Sequence, residues 1–282
     1  MHQSFLRRCA QQCDDASARQ LLLSLSRCLH EPCSTVKRLL GDNRKYLNEV
    51  ERLRNRVQPS SRLDRHLASF QLQQPEELEE LLRHIPGSRI LVSFHFGDFI
   101  YGNSIVAGLE EPGRQQCYLT QLPATEAFLA NMKLCFGADG IQRREQFLTA
   151  SVSPQSLVKK LRREQCTLLT FVDLPAGFGE RVGVSFLGRK AWFSKGPAVL
   201  SLASGAPLLP VLNDKLGSCN RIHLFPMLEA RRQQGESLSE ACTRLTQHLA
   251  SILEEAVLRS PWQWRFLARL PSYFDKSSWQ AP

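Results

Sequence analysis

A histidine and a carboxylate three positions apart, His95 and Asp98, close a short apolar run, Ile90-Leu91-Val92-Ser93-Phe94. An imidazole with a carboxylate in reach is a general base with its orienting partner, suited to taking the proton of a hydroxyl as its oxygen attacks a carbonyl. Gly97 lies between them, and its missing Cβ lets a substrate or another backbone approach closely. Asp98 has a second reading, as the N-cap of a helix that begins at Phe99. The other six histidines, at 2, 30, 66, 84, 223 and 248, have no carboxylate at a comparable spacing. A second acid, Asp173, ends the apolar run 167–172 ahead of Pro175 and Gly177. It reads either as a site residue at a strand end or as a turn-forming aspartate. Arg181, Arg189 and Lys195 flank a glycine-bearing segment, 177–197, that also holds Phe178, Phe186, Trp192 and Phe193. Cations beside an apolar wall suit a phosphorylated amphiphile; a surface loop with one apolar staple accounts for them as well.

These groups need a scaffold, and the chain supplies one from residue 88 onward. Short apolar runs predict strands at 89–94, 116–120, 167–172, 208–212 and 221–225. Helical patterns separate them at 99–109, 126–135, 154–164 and 196–203. Ser153 before Pro154 is a helix start, a capping side chain followed by a residue whose missing N–H costs nothing there. Ser237 with Glu240 forms a capping-box pattern that opens a last long helix, with Leu238, Leu245, Leu249, Ile252, Ala256 and Val257 on its apolar face. Residues 1–85 read as helical: Leu39, Leu40, Tyr46, Leu47, Val50, Leu53 and Val57 recur at three- and four-residue spacing, and a further helix is predicted at 76–84 before Pro86-Gly87. The expected fold is therefore a layered α/β/α domain with a mostly parallel or mixed central sheet and a helical N-terminal region. The whole chain, 1–282, is expected to be one domain with 88–270 as its core.

Composition narrows the partners. The 282 residues are 43% apolar and 22% charged, ordinary for a folded protein, but the net charge of +9 is not ordinary. It favours an anionic partner: a phosphate-bearing lipid or membrane surface, a nucleic acid, or an acidic carrier protein. No nucleic-acid-binding signature accompanies the basic pairs, so nucleic acid is set aside. The nine cysteines are odd in number and irregularly spaced, which supports neither a metal site nor a disulfide framework and fits reduced thiols in the cytosol. No stretch approaches the ~18–20 apolar residues of a membrane span. Any membrane contact is expected to be peripheral.

Several segments, taken in order, resemble the bacterial late lipid A acyltransferases and related glycolipid acyltransferases. His95-Phe96-Gly97-Asp98-Phe99 is similar to the first block of that family. Asp173-Leu174-Pro175-Ala176-Gly177, the run Gly183 to Arg189, Lys195-Gly196-Pro197-Ala198 and Ser204 to Val211 are similar to its second half. Pro261-Trp262-Gln263-Trp264-Arg265 resembles its C-terminal element. The resemblance covers about residues 88–270.

The resemblance implies an α/β acyltransferase in which a histidine and an acid five positions on form a dyad. That histidine deprotonates an acceptor hydroxyl, which attacks a thioester on a carrier protein. Here the fifth position is Ile100, so three arrangements stand open: Asp98 takes the acid's role, a distant acid such as Asp173 supports His95, or the site is inactive or rewired. The first is the working expectation. His95 and Asp98 are then catalytic, and Asp173, Arg181, Arg189 and Lys195 bind substrate. No cofactor or metal is called for. The donor is an acyl or peptidyl carrier protein carrying an acyl or aminoacyl group such as glycyl. The acceptor is an anionic glycolipid such as lipid A, met peripherally at the cytoplasmic face of the bacterial inner membrane. Transfer of a fatty-acyl or natural-product acyl group, and an inactive lipid-binding relative, are the alternatives.

Overall fold

The computed structural model describes residues 15–54, 61–73, 87–109, 114–120, 145–149 and 152–274. The helices expected at 76–84 and 126–135 lie outside them. The N-terminal region supplies α1 (Asp15–Leu29), α2 (Cys33–Arg54) and a short α3 (Ser61–Leu67). Strand β1 (Phe70–Leu72) and then β2 (Arg89–Ser93), α4 (Phe99–Gly108), β3 (Gln115–Thr120) and β4 (Glu145–Thr149) follow. The second half runs α5 (Pro154–Arg163), β5 (Cys166–Phe171), β6 (Arg181–Phe186), β7 (Arg189–Ser194), α6 (Gly196–Ser204), β8 (Leu208–Leu216), β9 (Cys219–Leu224) and α7 (Leu238–Arg259). Two 3-10 turns, Pro261–Gln263 and Leu267–Tyr273, close the described chain.

Among the described residues seven strands form the main sheet in the order β1-β9-β8-β2-β5-β3-β4. All its pairings are parallel except that of β8 with β9. The expected layered α/β/α architecture with a mostly parallel sheet is thus observed. Strand β2 sits at the centre, buried at every position, in register with β5 on one side and β8 on the other. A strand covered on both faces is apolar along most of its length, which is why Ile90-Leu91-Val92 reads as a continuous run and not as an alternation.

Alternate side chains then serve two layers. Ile90, Val92, Leu168 and Leu208 face a large core with α5, α6 and α7, whereas Leu91, Leu169 and Leu209 face a smaller one with Val106 of α4. Chain leaving β2 therefore goes to one side of the sheet and chain leaving β5 goes, by way of α6, to the other. The carboxyl ends of these adjacent strands form a topological switch point, the place where open α/β sheets bind their ligands.

Local signals act as expected at two helix starts. Ser153 accepts the Ser156 N–H, and Ser237 and Glu240 close a reciprocal capping box. Most of the apolar face of α7 is buried, but Leu238 at its first position is 56% exposed. Segment 177–197, read above as a loop, is a hairpin of β6 and β7 packed on α7. Its two-residue turn, Leu187-Gly188, has positive φ at both positions, 53° and 71°. That geometry matches the right-handed strand twist and normally selects Asn-Gly or Asp-Gly, so Leu-Gly concealed it. No helix among the described residues is long and apolar enough to cross a membrane.

Candidate active site

His95 follows the carboxyl end of β2 and Asp173 follows that of β5, so the pairing of these strands brings the two side by side. Asp173 is fully buried and its two oxygens are shared out. Oδ1 accepts from Nδ1 of His95 at 2.9 Å, and Oδ2 accepts from the His95 backbone N–H and from Nε1 of Trp264, each at 2.9 Å. Three donors fix that carboxylate, and the carboxylate fixes the imidazole. With Nδ1 donating, Nε2 carries the lone pair, and it makes no hydrogen bond with the described residues. The His95 side chain is 14% exposed. Three phenylalanines surround its ring, Phe171, Phe266 and Phe99, with centroids at 4.2, 4.7 and 4.8 Å.

The C-terminal element clamps the histidine loop from outside. The Arg265 N–H donates to the His95 carbonyl at 2.8 Å, and the Gly97 N–H donates to the Gln263 carbonyl at 3.2 Å. Asn43 of α2 donates to the carbonyls of Trp262 and Trp264, both at 2.8 Å. Below Asp173, Tyr273 donates to its backbone carbonyl at 2.7 Å. Burial, with the Asp173 carboxylate beside it, raises the Tyr273 phenol well above its ordinary value, so this hydroxyl stays a donor. Residues 264–267 pack onto the core: Trp264 and Leu267 are buried and Phe266 lies on His95.

Asp98 does not pair with His95, and that expectation is corrected. Its carboxylate is buried and bonds Nε2 of His66 at 2.8 Å. The reason is the turn itself. Gly97 has φ +60°, and a Cβ there would stand 2.2 Å from the Asn213 carbonyl of β8. This left-handed step carries Asp98 past β8 and onto the far side of the loop, toward α3. Asp98 occupies the N-cap position of α4 but makes no side-chain capping bond, so the capping reading fails too. Of the arrangements left open by the sequence, the distant acid Asp173 is the one in contact with His95.

The three expected cations are not gathered. Arg181 and Lys195 stand at the open end of the β6–β7 hairpin, where the Ser194 N–H donates to the Val172 carbonyl just before Asp173. Lys195 pairs with Glu180, which holds that exposed carboxyl below its ordinary value. Arg189 stands at the turn end of the hairpin and donates to the Arg27 carbonyl of α1 at 3.2 Å. It is not beside the dyad. Residues that sequence reasoning missed are His66, Trp264 as a partner of Asp173, Tyr273 and Phe171. The apolar run leading to Asp173 and the Pro-Trp-Gln-Trp element were visible, but which atoms they would bring together was not.

Residues 141–270 match the model of the bacterial lipid A biosynthesis acyltransferase family. The match takes in Asp173, Arg181, Trp264 and Arg265, while His95 precedes it. It supports acyl transfer as the class of reaction. A stretch of 103 residues is 32% identical to a protein of Shewanella piezotolerans (strain WP3 / JCM 13877) named 23S rRNA (uracil(1939)-C(5))-methyltransferase RlmD. That stretch is 36% of this chain and 23% of the relative, so the chain spans about a quarter of the curated protein it matches.

Proposed function

We propose that this protein moves an acyl or aminoacyl group from a carrier-protein thioester to a hydroxyl of a membrane glycolipid such as lipid A, with His95 as general base. The observation that carries the reading is the His95–Asp173 pair, whose geometry leaves Nε2 as a proton acceptor at the topological switch point. The acceptor hydroxyl gives its proton to Nε2 as its oxygen bonds the thioester carbonyl carbon. The C–S bond then breaks, and the imidazolium returns the proton to the leaving thiolate. Asp173 holds the ring in the productive tautomer and balances the charge that forms on it, and Trp264 keeps Asp173 in place. The phenylalanines around His95 offer an apolar wall for the transferred chain and keep water from competing as acceptor. The lipid is met peripherally, at the cytoplasmic face of the bacterial inner membrane.

The test is mass spectrometry of lipids from cells that express the wild type or His95→Ala. The wild type adds a defined mass to a glycolipid, and that mass identifies the donor group. Addition at the normal level by His95→Ala would end the proposal. No added mass with either form would favour a lipid-binding relative without chemistry.

A further inference from the structure

Arg181 differs from Lys195, Arg189 and Arg265. Lys195 has Glu180, Arg189 has the Arg27 carbonyl, and Arg265 has Glu51 at 3.1 Å. Arg181 is partly buried at the first position of β6, and its Nε and Nη2 are buried with no hydrogen-bond partner. Buried donors without acceptors are rare, and each asks for an explanation such as an ion or ligand that completes it. The cost is visible in the charge as well, since burial lowers the Arg181 pKa from its ordinary value.

The surroundings show what would complete it. The guanidinium carbon lies 5.2 Å from the centroid of the Tyr273 ring, a cation–π contact that holds the planar fork but gives its N–H groups no oxygen. Arg269, four residues before Tyr273 in the same 3-10 turn, is exposed. Both arginines act on the Tyr273 phenol, opposing the rise that burial and Asp173 impose on it. One guanidinium, that of Arg181, thus lies over the ring, and the hydroxyl of that ring is bonded to the backbone of Asp173, which contacts His95. A planar fork with two vacant donors matches the paired oxygens of a phosphate.

We propose that Arg181, over the Tyr273 ring, holds a phosphate group of the substrate, with Arg269 as the second cation, and so registers the reacting carbonyl and hydroxyl against His95. The site deepens the acyl-transfer reading and rests on it only for what carries the phosphate. Two sources share this chemistry: the phosphodiester of a carrier's phosphopantetheine arm, and a phosphate on the sugar headgroup of the acceptor.

The first measurement is titration calorimetry of the full chain with inorganic phosphate. Saturable binding is expected, weakened at least tenfold in Arg181→Gln and less in Arg269→Gln. Arg181→Lys, which keeps the charge without the fork, should recover part of the loss. Circular dichroism establishes that each variant is folded. No phosphate binding by the wild type, or equal binding by folded Arg181→Gln, would overturn the site. The second measurement compares kcat/KM for phosphorylated and dephosphorylated forms of a pantetheine thioester donor, and likewise of a glucosamine-lipid acceptor. The preference for the phosphorylated form should fall toward one in Arg181→Gln for one of these two substrates, which identifies the source. An unchanged preference for both would also overturn the proposal. Phosphate binding needs no turnover, so a failed acyl-transfer assay with intact phosphate binding would count against the reaction and not against the site.

Discussion

Two histidine–carboxylate pairs flank the first turn of α4, and they differ in what they leave available. His95 engages Asp173 through Nδ1, and His66 engages Asp98 through Nε2. Exposure does not separate them, since the two imidazoles are 14% and 13% exposed. The distinction lies in the remaining nitrogen. His95 keeps Nε2, at the far end of the ring, and its imidazole lies among three phenylalanines near the carboxyl ends of β2 and β5. His66 keeps Nδ1, next to its own Cβ, and packs edge-on against Phe70 and Tyr101 at 5.3 and 5.5 Å. One pair has an acid pinned by three donors and an imidazole nitrogen with no hydrogen-bond partner among the described residues. The other ties α3 to the start of α4. Chemistry requires an available nitrogen as well as a paired one.

The sharpest way to break this comparison is to remove each acid in turn. Asp173→Asn should lower transfer by about a thousandfold, because an amide no longer holds the ring in one tautomer. His95→Ala/Asp173→Asn should be no worse than the poorer single variant, since the two residues act as one unit. Both are read as kcat/KM in a thioester transfer assay. If Asp98→Asn costs as much as Asp173→Asn, the assignment of roles is reversed.

A smaller effect is expected on the other side. His66→Ala should cost about 2 kcal/mol in urea unfolding, the loss of one hydrogen bond to a buried carboxylate. Asp98 keeps a further interaction when this bond is lost. Turnover should change by less than tenfold. A loss of turnover comparable to that of Asp173→Asn, with stability unchanged, would place His66 in the chemistry.

Much of the scaffold was legible in the sequence for a physical reason. The continuous apolar runs of β2, β5 and β8 and the capping residues Ser153, Ser237 and Glu240 act locally, within a few positions of where they are read. His95 was legible as well, at the end of its strand. The acid was not. Asp98 is near in sequence and Asp173 is 78 positions away, yet strand register decides the contact: Ser93 stands opposite Phe171, which sets His95 opposite Asp173. Gly97 was noted for close approach, but only the position of Asn213 shows that the approach is by backbone and that it turns Asp98 aside. The hairpin of β6 and β7 was hidden by its Leu-Gly turn, and with it the separation of Arg189 from Arg181.

A third pair, His223 with Asp214 at 3.1 Å, tests whether a histidine–carboxylate contact by itself marks a site. Asp214 also takes two bonds from Arg221, at 2.8 and 2.6 Å, across the β8–β9 register. Burial alone would raise its pKa, but the bonds from His223 and Arg221 together outweigh burial and hold it at about 2, below the ordinary 3.8. A carboxylate lowered by folding stabilises the fold fully above its unfolded value. That contribution is lost as pH falls from 3.8 through about 2. The difference corresponds to about 2 kcal/mol at most. Other carboxylates titrate in the same range, so the informative quantity is the gap in unfolding free energy between wild type and Asp214→Asn. It should narrow as pH falls from 5 and be nearly closed by pH 2, with transfer at pH 7 little changed. A gap that stays constant down to pH 2 would mean that the pair does not draw its strength from charge. A loss of transfer as large as that of Asp173→Asn would mean that position at the carboxyl ends of β2 and β5 is not what separates a base from a brace.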